Sequence, residues 1–203
     1  MTTPELDVRT LPKPDKHPAI FARYDELRVG ESFVLVNNHY PKHLLDEFEI
    51  EHAGGFVWER VEDGPPLWRV RIGKLASTPL PRVLTETGIE SSGADAAGVV
   101  WKLPLRRRDL DSNIIGLAPE SRIATHTGPD LDVLVHVLDG AGTCTTELGE
   151  IALSPGALVW LPRRSQRAFT AGPHGLRYLT VHQRRQSLLL EPIAPPANRA
   201  GSD

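Results

Sequence analysis

Two groups of side chains in this sequence are of types that bind ions or catalyse reactions. In the first half, basic residues and histidines lie close to the starts of two predicted helices. In the second half, His126 opens a stretch that ends in alternating apolar and polar residues, "HTGPDLDVLVHVLDGAG", and "LPRRSQRAF" (161–169) adds a cluster of arginines. Imidazole and carboxylate groups ligate metals, whereas guanidinium and ammonium groups bind carboxylates and phosphates. The sequence therefore offers the chemistry of a metal centre, an anion site, or both.

The composition limits the partners that such sites serve. The formal net charge is −3, so no strongly basic surface indicates nucleic-acid binding. The single cysteine, Cys144, excludes an internal disulfide and suits a reducing compartment. The opening "MTTPELDVRT" lacks the features of a secretory leader, and no apolar run approaches the roughly 20 residues that span a bilayer. We therefore expect a cytoplasmic protein without nucleic-acid or membrane partners.

The composition also divides the chain. Residues 75–98 lack periodicity and are rich in Pro, Ser, Thr, Gly and Ala, which is typical of a linker. This predicts a first domain over residues 1–74 and a second over residues 99–187. Residues 188–203 include a Pro-rich stretch, and we expect them to form a flexible tail.

Strand and helix patterns alternate in the first domain. Strand patterns occupy residues 5–11 and 32–36, and helical patterns occupy residues 15–27 and 41–52. Asp15 is the expected N-cap of the first helix. "FVWERV" and "LWRVRI" flank "EDGPP" as the two strands of a hairpin do. The order β-α-β-α-β-β predicts a two-layer α/β sandwich with both helices on one face of a sheet.

This order, with "LDVRTLPKPDKHP", "VGESFVLVNNHYPKHL" and "WRVRI", resembles the TusA sulfur-carrier fold over roughly residues 5–73. It is more similar to an uncharacterised relative, the family called domain of unknown function 2249. Sulfur carriers hold a reactive cysteine in a Cys-Pro pair at the start of the first helix. The equivalent pair here is Lys13-Pro14, so persulfide carriage by that mechanism is excluded.

Cationic side chains take the place of that thiol chemistry. Both helix starts are expected at one end of the sheet, where several groups could converge: Arg9, Lys13, Lys16, His17, His39, Lys42 and His43. Three interpretations stay open. The groups form a solvated surface, or an anion site at the helix N-termini, or a transition-metal site of histidines assisted by Asp7 or Asp15. The residues that we assign to the anion site are Arg9, Lys13, His17, His39 and Lys42.

Short β-type runs separated by turn residues fill the second domain from Val99 onward. The turn signals include "DGAG", "LGE", "SPG" and "AGPHG", at a spacing typical of sandwiches and barrels. This pattern predicts an all-β domain, and it places the whole chain in the α+β class.

The strand series resembles a cupin, a small jelly-roll barrel, over roughly residues 99–186. Cupins carry two motifs whose alternating side chains direct three histidines and a glutamate into the barrel. At the corresponding positions this sequence has His126, Gly128, Val133 and Arg167, so His126 is the one ligand that remains in place. Catalytic metal sites use about three protein ligands, so His126 alone would bind a metal weakly. The resemblance also implies a homodimer.

A metal site remains an alternative if other groups supply the missing ligands. A one-residue bulge would turn Asp132 inward in place of Val133, and His136 and His182 lie on β-type segments. Such a site would take iron, zinc, nickel or manganese. It would make the protein a metal-dependent cupin enzyme of the dioxygenase or isomerase type.

The arginines favour a different use of the barrel. Arg164 and Arg167 are expected near its mouth, with Arg167 at an inward position where its charge must be compensated. Its partner is either internal, with Asp130 or Asp132 as candidates, or an acidic ligand bound through bidentate contacts. The sequence therefore predicts a binding or regulatory protein for an anionic small molecule, with the metal-dependent enzyme as the alternative.

Overall fold

The computed structural model describes residues 3–85 and 97–184. Contacts divide the chain into two compact units, Met1–Gly93 with Trp101–Arg108, and Ala94–Val100 with Asp109–Asp203. The predicted tail, residues 188–203, and residues 86–96 of the predicted linker lie outside the described residues.

The segment Trp101–Arg108 belongs to the first unit, although the sequence assigned it to the second domain. Its arginines make ion pairs there: Arg106 Nη1 lies 2.8 Å from Glu47 Oε2, and Arg107 Nη1 lies 2.7 Å from Asp25 Oδ2. These pairs join a stretch of polar sequence to the two helices of the first unit, a connection that local periodicity does not reveal.

The first unit is built on a four-stranded sheet with two helices. Its elements are β1 (Glu5–Asp7), α1 (Lys13–Glu26), β2 (Ser32–Asn37), α2 (Lys42–His52), β3 (Phe56–Glu62) and β4 (Trp68–Lys74). The strand order is β1-β2-β4-β3. β1 and β2 are parallel, and the other neighbours are antiparallel. β1 and β2 can be parallel neighbours because α1 returns the chain to the end of the sheet at which β1 begins.

In both helices the N-cap residue is a proline, whose side chain makes no capping hydrogen bond. α1 begins at Lys13, two residues before the predicted start, with Pro12 as its N-cap and no side-chain cap hydrogen bond. α2 begins at Lys42 after Pro41, also without a side-chain cap. The expectation that Asp15 caps α1 is therefore wrong. Asp15 lies inside the first turn, where its charge favours the helix dipole.

One face of the sheet packs against the helices and forms the core of the first unit. Phe33 and Leu35 on β2 are almost fully buried there, beside Val70 and Ile72 on the neighbouring β4. Aromatic side chains of the helices complete this core, and the Tyr24 and Phe48 rings meet edge to face with centroids 5.0 Å apart. This packing fixes the positions of both helix starts relative to the sheet.

The second unit is all β in its described residues. Its strands are β5 (Gly98–Lys102), β6 (Leu110–Leu117), β7 (Arg122–Thr127), β8 (Val133–Thr146), β9 (Gly149–Leu153), β10 (Leu158–Leu161) and β11 (Gln166–Gln183). The main order is β10-β8-β11-β6-β5, while β9 pairs with β8 and β7 pairs with β11. The sheet as a whole has seven strands.

Two long strands, β8 and β11, pair with each other in two stretches, which divide the sheet into two halves. Ala168–Ala171 pairs with Gly142–Thr145, and Leu176–His182 pairs with Val133–Gly140. The sequence predicts that "DGAG" and "AGPHG" end strands, but each motif lies inside a longer strand. Their glycines allow the strands to pass close together at the bend. Gly140 has φ +74°, and a Cβ added there would overlap the carbonyl oxygen of Gly175. Residues of both halves then meet in one core, including Val135, Cys144 and Phe169.

The described residues contain two helices and eleven strands in two sheets, so the fold is mostly β. This is a larger share of β structure than the α+β assignment implied. No helix in the described ranges is long and apolar enough to cross a membrane.

Candidate functional site

A buried arginine occupies the interior of the second unit. Arg167 is 3% exposed, and neither of its terminal nitrogens has a hydrogen-bond partner among the described residues. It lines a cavity of about 170 Å³. Most other lining side chains are apolar: Ile123, Pro129, Val133, Val135, Leu161 and Phe169. A guanidinium group without a partner in such surroundings is costly, and it would attract an anion.

The start of β11 directs this side chain inward. Residues 162–165 form a tight turn in which the Ser165 amide donates to the Pro162 carbonyl at 3.2 Å. Arg167 pairs with His126 on β7, and the register then shifts, because two residues of β11 span three of β7. The extra residue therefore lies in β7, and Arg167 points inward by regular alternation along β11, in phase with the buried Phe169 and Ala171. A bulge at Asp132 was one possibility that the sequence left open, whereas the described irregularity beside Arg167 lies in β7, between Ile123 and His126.

The guanidinium of Arg167 lies against the backbone of Gly128. A Cβ added at Gly128 would overlap Nη2 of Arg167, and Cζ and Nε are also close. The space that a side chain at residue 128 would fill is therefore taken by the arginine. Gly128 itself is buried, and its amide donates to the Ser165 carbonyl at 3.0 Å.

Tyr178 and Cys144, near Arg167, are uncharged at physiological pH. Burial raises the pKa of Tyr178 to about 12, with a further contribution from Cys144. Burial also raises the pKa of the Cys144 thiol, so it is not a thiolate that could compensate the arginine. Burial lowers the pKa of Arg167 itself, in the direction expected for a cation that has lost its water.

The internal partners expected for Arg167 bind elsewhere. Asp130 Oδ2 accepts a hydrogen bond from Arg164 Nη2 at 2.8 Å, and both side chains are more than half exposed. Asp132 Oδ1 accepts a hydrogen bond from the Arg163 amide at 2.9 Å. An internal salt bridge of Arg167 with Asp130 or Asp132 was therefore the wrong expectation. Arg164 lies on the exposed side of the turn and does not join Arg167 in the cavity.

The four candidate metal ligands lie apart. His126 lines the cavity, and its Nδ1 lies 2.9 Å from the Ala124 carbonyl oxygen. Asp132 is exposed, and His136 lies between the inward-facing Val135 and Val137, on the opposite face of β8. His182, at the end of β11, has its Nδ1 3.0 Å from the Gln183 carbonyl.

This donor set does not fit a catalytic metal ion. Across residues 3–85 and 97–184, no three His, Cys, Asp or Glu side chains are grouped so that they could hold one. The cavity instead presents one imidazole and a guanidinium, whose positive charge would repel a metal cation. No metal-dependent step can be derived from these residues.

A second cavity lies in the first unit, where both helices begin. It measures about 630 Å³ and brings together four of the five residues predicted for an anion site. These are Lys13, His17, His39 and Lys42, and the cavity is also lined by Lys16, His43 and Asn37. The fifth predicted residue, Arg9, does not line it. Arg9 binds Asp7 instead, with Nη2 donating to Oδ2 at 2.7 Å, and this bond lowers the pKa of Asp7 to about 2.

The roles of Asn37, which lines this cavity, and of Glu47, which binds the lining residue His17, were not found from the sequence. Asn37 is 4% exposed, and although its Nδ2 donates to the His39 carbonyl at 3.1 Å, its Oδ1 has no partner. Glu47 accepts from Arg106 and also lies 3.1 Å from His17 Nδ1. Asn37 is the last residue of the strongly buried strand β2. A polar residue at the end of such a strand is the one feature of the sequence that would have indicated its place in a site.

One family model matches the first part of the chain. Residues 5–74 match the family model described as "Uncharacterized conserved protein (DUF2249)", so the resemblance of this segment to domain of unknown function 2249 is confirmed, while its resemblance to the TusA fold stays a prediction. A search of curated proteins finds no match.

Several solved structures are similar to part of the chain. A cupin protein from Bacteroides fragilis is 19% identical, with a TM-score of 0.39 over 51% of this chain and 90% of its own. A cupin-2 domain containing protein from Shewanella frigidimarina is 15% identical, with a TM-score of 0.37 over 46% and 85%. The EutQ protein of Clostridium difficile is 21% identical, with a TM-score of 0.33 over 37% of this chain and only 56% of its own. The chain thus contains a DUF2249 segment, and its structural neighbours include cupins.

Proposed function

We propose that this protein binds a small carboxylate inside its second unit, with Arg167 as the residue that recognises the anion. One observation carries the proposal: Arg167 is 3% exposed, lines a cavity, and has two terminal nitrogens without a described partner. Removing a charge from water without a partner destabilises a fold by several kcal/mol. A bound carboxylate would supply the missing partner through two parallel N–H···O bonds.

The walls of the cavity define the rest of the ligand. Val133, Val135, Leu161 and Phe169 offer no hydrogen bonds from their side chains, so the part of the ligand that faces them should be apolar. A cavity of about 150 Å³ accommodates a molecule the size of benzene, and this one measures about 170 Å³. The best ligand is therefore a monocarboxylate of about six heavy atoms, such as butyrate.

This function needs no metal chemistry and treats the chain as a binding or regulatory protein. In this proposal the second unit is a cupin-like jelly roll in which an arginine replaces the metal. The first domain, residues 1–74, is TusA-like but lacks the carrier cysteine. The lone, buried Cys144 is consistent with a cytoplasmic location, which we also propose.

A second copy of the chain is the proposed protein partner. β10 lies at an edge of the sheet among the described strands. It exposes Trp160 by 62% and Leu158 by 64%, and Leu134 on the adjacent strand is 40% exposed. Large apolar side chains on an edge strand favour association with another sheet edge. A twofold pairing would bring the same patch from both copies together.

Calorimetric titration of the full chain with linear carboxylates from acetate to octanoate tests the proposed function. Affinity should rise to butyrate and fall again once the chain outgrows the cavity. Arg167→Met should abolish binding, and Arg167→Lys should weaken it because an ammonium group cannot form the two parallel bonds. The matched control is Arg164→Met, because Arg164 is exposed and bound to Asp130. Binding that survives in Arg167→Met, or no binding of any member of the series, would overturn the proposal.

A further inference from the structure

We propose that the first unit holds a separate site for a phosphorylated small molecule, in the cavity at the N-termini of α1 and α2. The site does not depend on Arg167 or on the proposed function of the second unit, since all its residues belong to the first unit. Helix geometry, local charge and one buried amide group support it independently.

Both helices direct their N-termini to the same cavity. Lys13 and His17 from α1 line it together with Lys42 and His43 from α2. The first N–H groups of a helix have no partner within the helix. Pro12 and Pro41 provide no side-chain cap, but Pro14 has no N–H, and the Asp15 and Lys42 amides donate to the Pro12 and Tyr40 carbonyls at 3.0 and 2.9 Å. The first-turn amides that remain for an oxyanion, without a partner among the described residues, are those of Lys13, His43 and Leu44.

The charge of the lining residues favours an anion with more than one negative charge. Three ammonium groups, from Lys13, Lys16 and Lys42, belong to the cavity. None of the side chains that line it in the described part of the chain is acidic. Glu47, the nearby carboxylate, is engaged by His17 and Arg106. A phosphate dianion matches this positive excess better than a single carboxylate does.

Asn37 adds a requirement that charge alone does not. Asn37 lines the cavity and is only 4% exposed, and its Oδ1 has no hydrogen-bond partner among the described residues. Its Nδ2 donates to the His39 carbonyl, which fixes the orientation of the amide and leaves the oxygen as an acceptor. The ligand must therefore carry a donor next to its anionic oxygens. A P–OH group, or a hydroxyl beside a phosphate ester, meets this requirement.

The size of the cavity indicates that inorganic phosphate is only part of the ligand. At about 630 Å³ it lies within the range of pockets that hold whole metabolites. Phosphate therefore serves as the minimal probe, and a phosphorylated hydroxy compound is the class of ligand that we infer.

Sulfate is the probe that separates the two requirements, because at neutral pH it has the shape and charge of phosphate but no donor. We expect the full chain to bind phosphate about tenfold or more tightly than sulfate at equal ionic strength, because sulfate leaves the Asn37 acceptor unpaired. Calorimetry or phosphorus NMR line broadening would measure the difference. Equal affinity for the two anions, or no binding of phosphate, would overturn the proposal.

Variants assign the site to its residues. Lys13→Gln combined with Lys42→Gln changes side chains at the two helix starts and should abolish binding of both anions. Asn37→Leu should lower phosphate affinity to the level of sulfate, and if this variant does not fold, the lysine pair still decides. Arg9→Gln is the matched control, since Arg9 is bound to Asp7 and lies outside the cavity. Phosphate binding that disappears in Arg167→Met instead would place the anion in the second unit and refute a separate site.

Discussion

Gly128 and Arg167 share one space: the guanidinium of Arg167 lies where a side chain at residue 128 would be. In the sequence comparison with the cupin motifs, both positions were set against histidines, and this chain has a glycine at one and an arginine at the other. The two differences fit together, because the arginine needs the volume that the glycine leaves. A positive charge is thereby held in the interior of the second unit.

Gly128→Ala should therefore displace the guanidinium. We expect a loss of about 1–3 kcal/mol in the free energy of unfolding, typical of an overpacked interior, and at least about tenfold weaker binding of butyrate, because one bidentate contact is lost. Denaturant unfolding and calorimetry measure the two effects. Gly73→Ala is a suitable control, because its Cβ would come no closer than 3.4 Å to Val57. A Gly128→Ala variant that binds like the wild type would contradict this arrangement.

Arg167→Met should not destabilise the protein in the absence of ligand. Replacing a buried charge by an apolar side chain of similar volume is neutral or stabilising by about 1–4 kcal/mol. An arginine that held the fold together would behave in the opposite way when truncated. The measurement is the free energy of unfolding with and without butyrate. Wild type should gain stability on adding butyrate, whereas Arg167→Met should be insensitive to it.

Gly140→Ala should be costly for a different reason. The residue has φ +74°, and its Cβ would overlap the Gly175 carbonyl where the paired strands β8 and β11 come close together. Backbone strain and the steric overlap together should lower the free energy of unfolding by at least about 2 kcal/mol. Gly156→Ala separates the two effects, since Gly156 has φ +86° but nothing within 4 Å of the added Cβ. If both variants lose the same stability, close approach of the strands is not the cause.

These glycines also show that the ends of strands cannot always be predicted from the sequence. Alternating apolar residues predict strands around "DGAG" and "AGPHG", but glycines are read as turns, and only the cross-strand contacts show that β8 and β11 continue through them. In the same way, "PKPDKHP" predicts a helix start, while the choice between Pro12 and Asp15 as N-cap depends on packing. Local pattern defines the elements, and contacts between distant segments decide their ends.

The residues of the candidate sites were likewise predicted only in part. The sequence predicts the convergence of Lys13, His17, His39 and Lys42 because the fold order places both helix starts at one end of the sheet. It does not predict that Arg9 binds Asp7, or that Asp130 binds Arg164 and so is not the partner of Arg167. Partner choice among several nearby charges depends on distances of a few ångströms, which spacing along the chain does not contain.

Trp160→Glu should dissociate the proposed dimer. Trp160 lies on the edge strand β10 and is 62% exposed, so a charge there would not disturb the core but would oppose burial of the patch. Sedimentation velocity of wild type and variant over a range of concentrations measures the effect. Leu148→Glu is the control, because Leu148 is fully exposed in the turn before β9. A wild-type chain that sediments as a monomer at all concentrations would refute the dimer.

We expect His52 to make the stability of the first unit depend on pH. It is 9% exposed and packs against aromatic rings, with centroid distances of 4.7 Å to Tyr24 and 5.7 Å to Phe48. Burial lowers its pKa, although Asp25 and Glu51 act in the opposite direction. A histidine whose folded pKa lies below the unfolded value of about 6.5 binds its proton more readily in the unfolded chain. Protonation therefore favours unfolding.

The free energy of unfolding should consequently be at its plateau above about pH 6.5 and fall as the pH drops below it. His52→Phe should keep the aromatic packing and flatten this fall. Denaturant titrations of both proteins between neutral pH and pH 5 give the comparison, and the difference between the two curves isolates His52 from other titrating groups. His43→Gln, which changes a side chain that is 94% exposed, should retain the wild-type slope. If His52→Phe and wild type lose stability in parallel, burial of this imidazole is not what makes the first unit sensitive to acid.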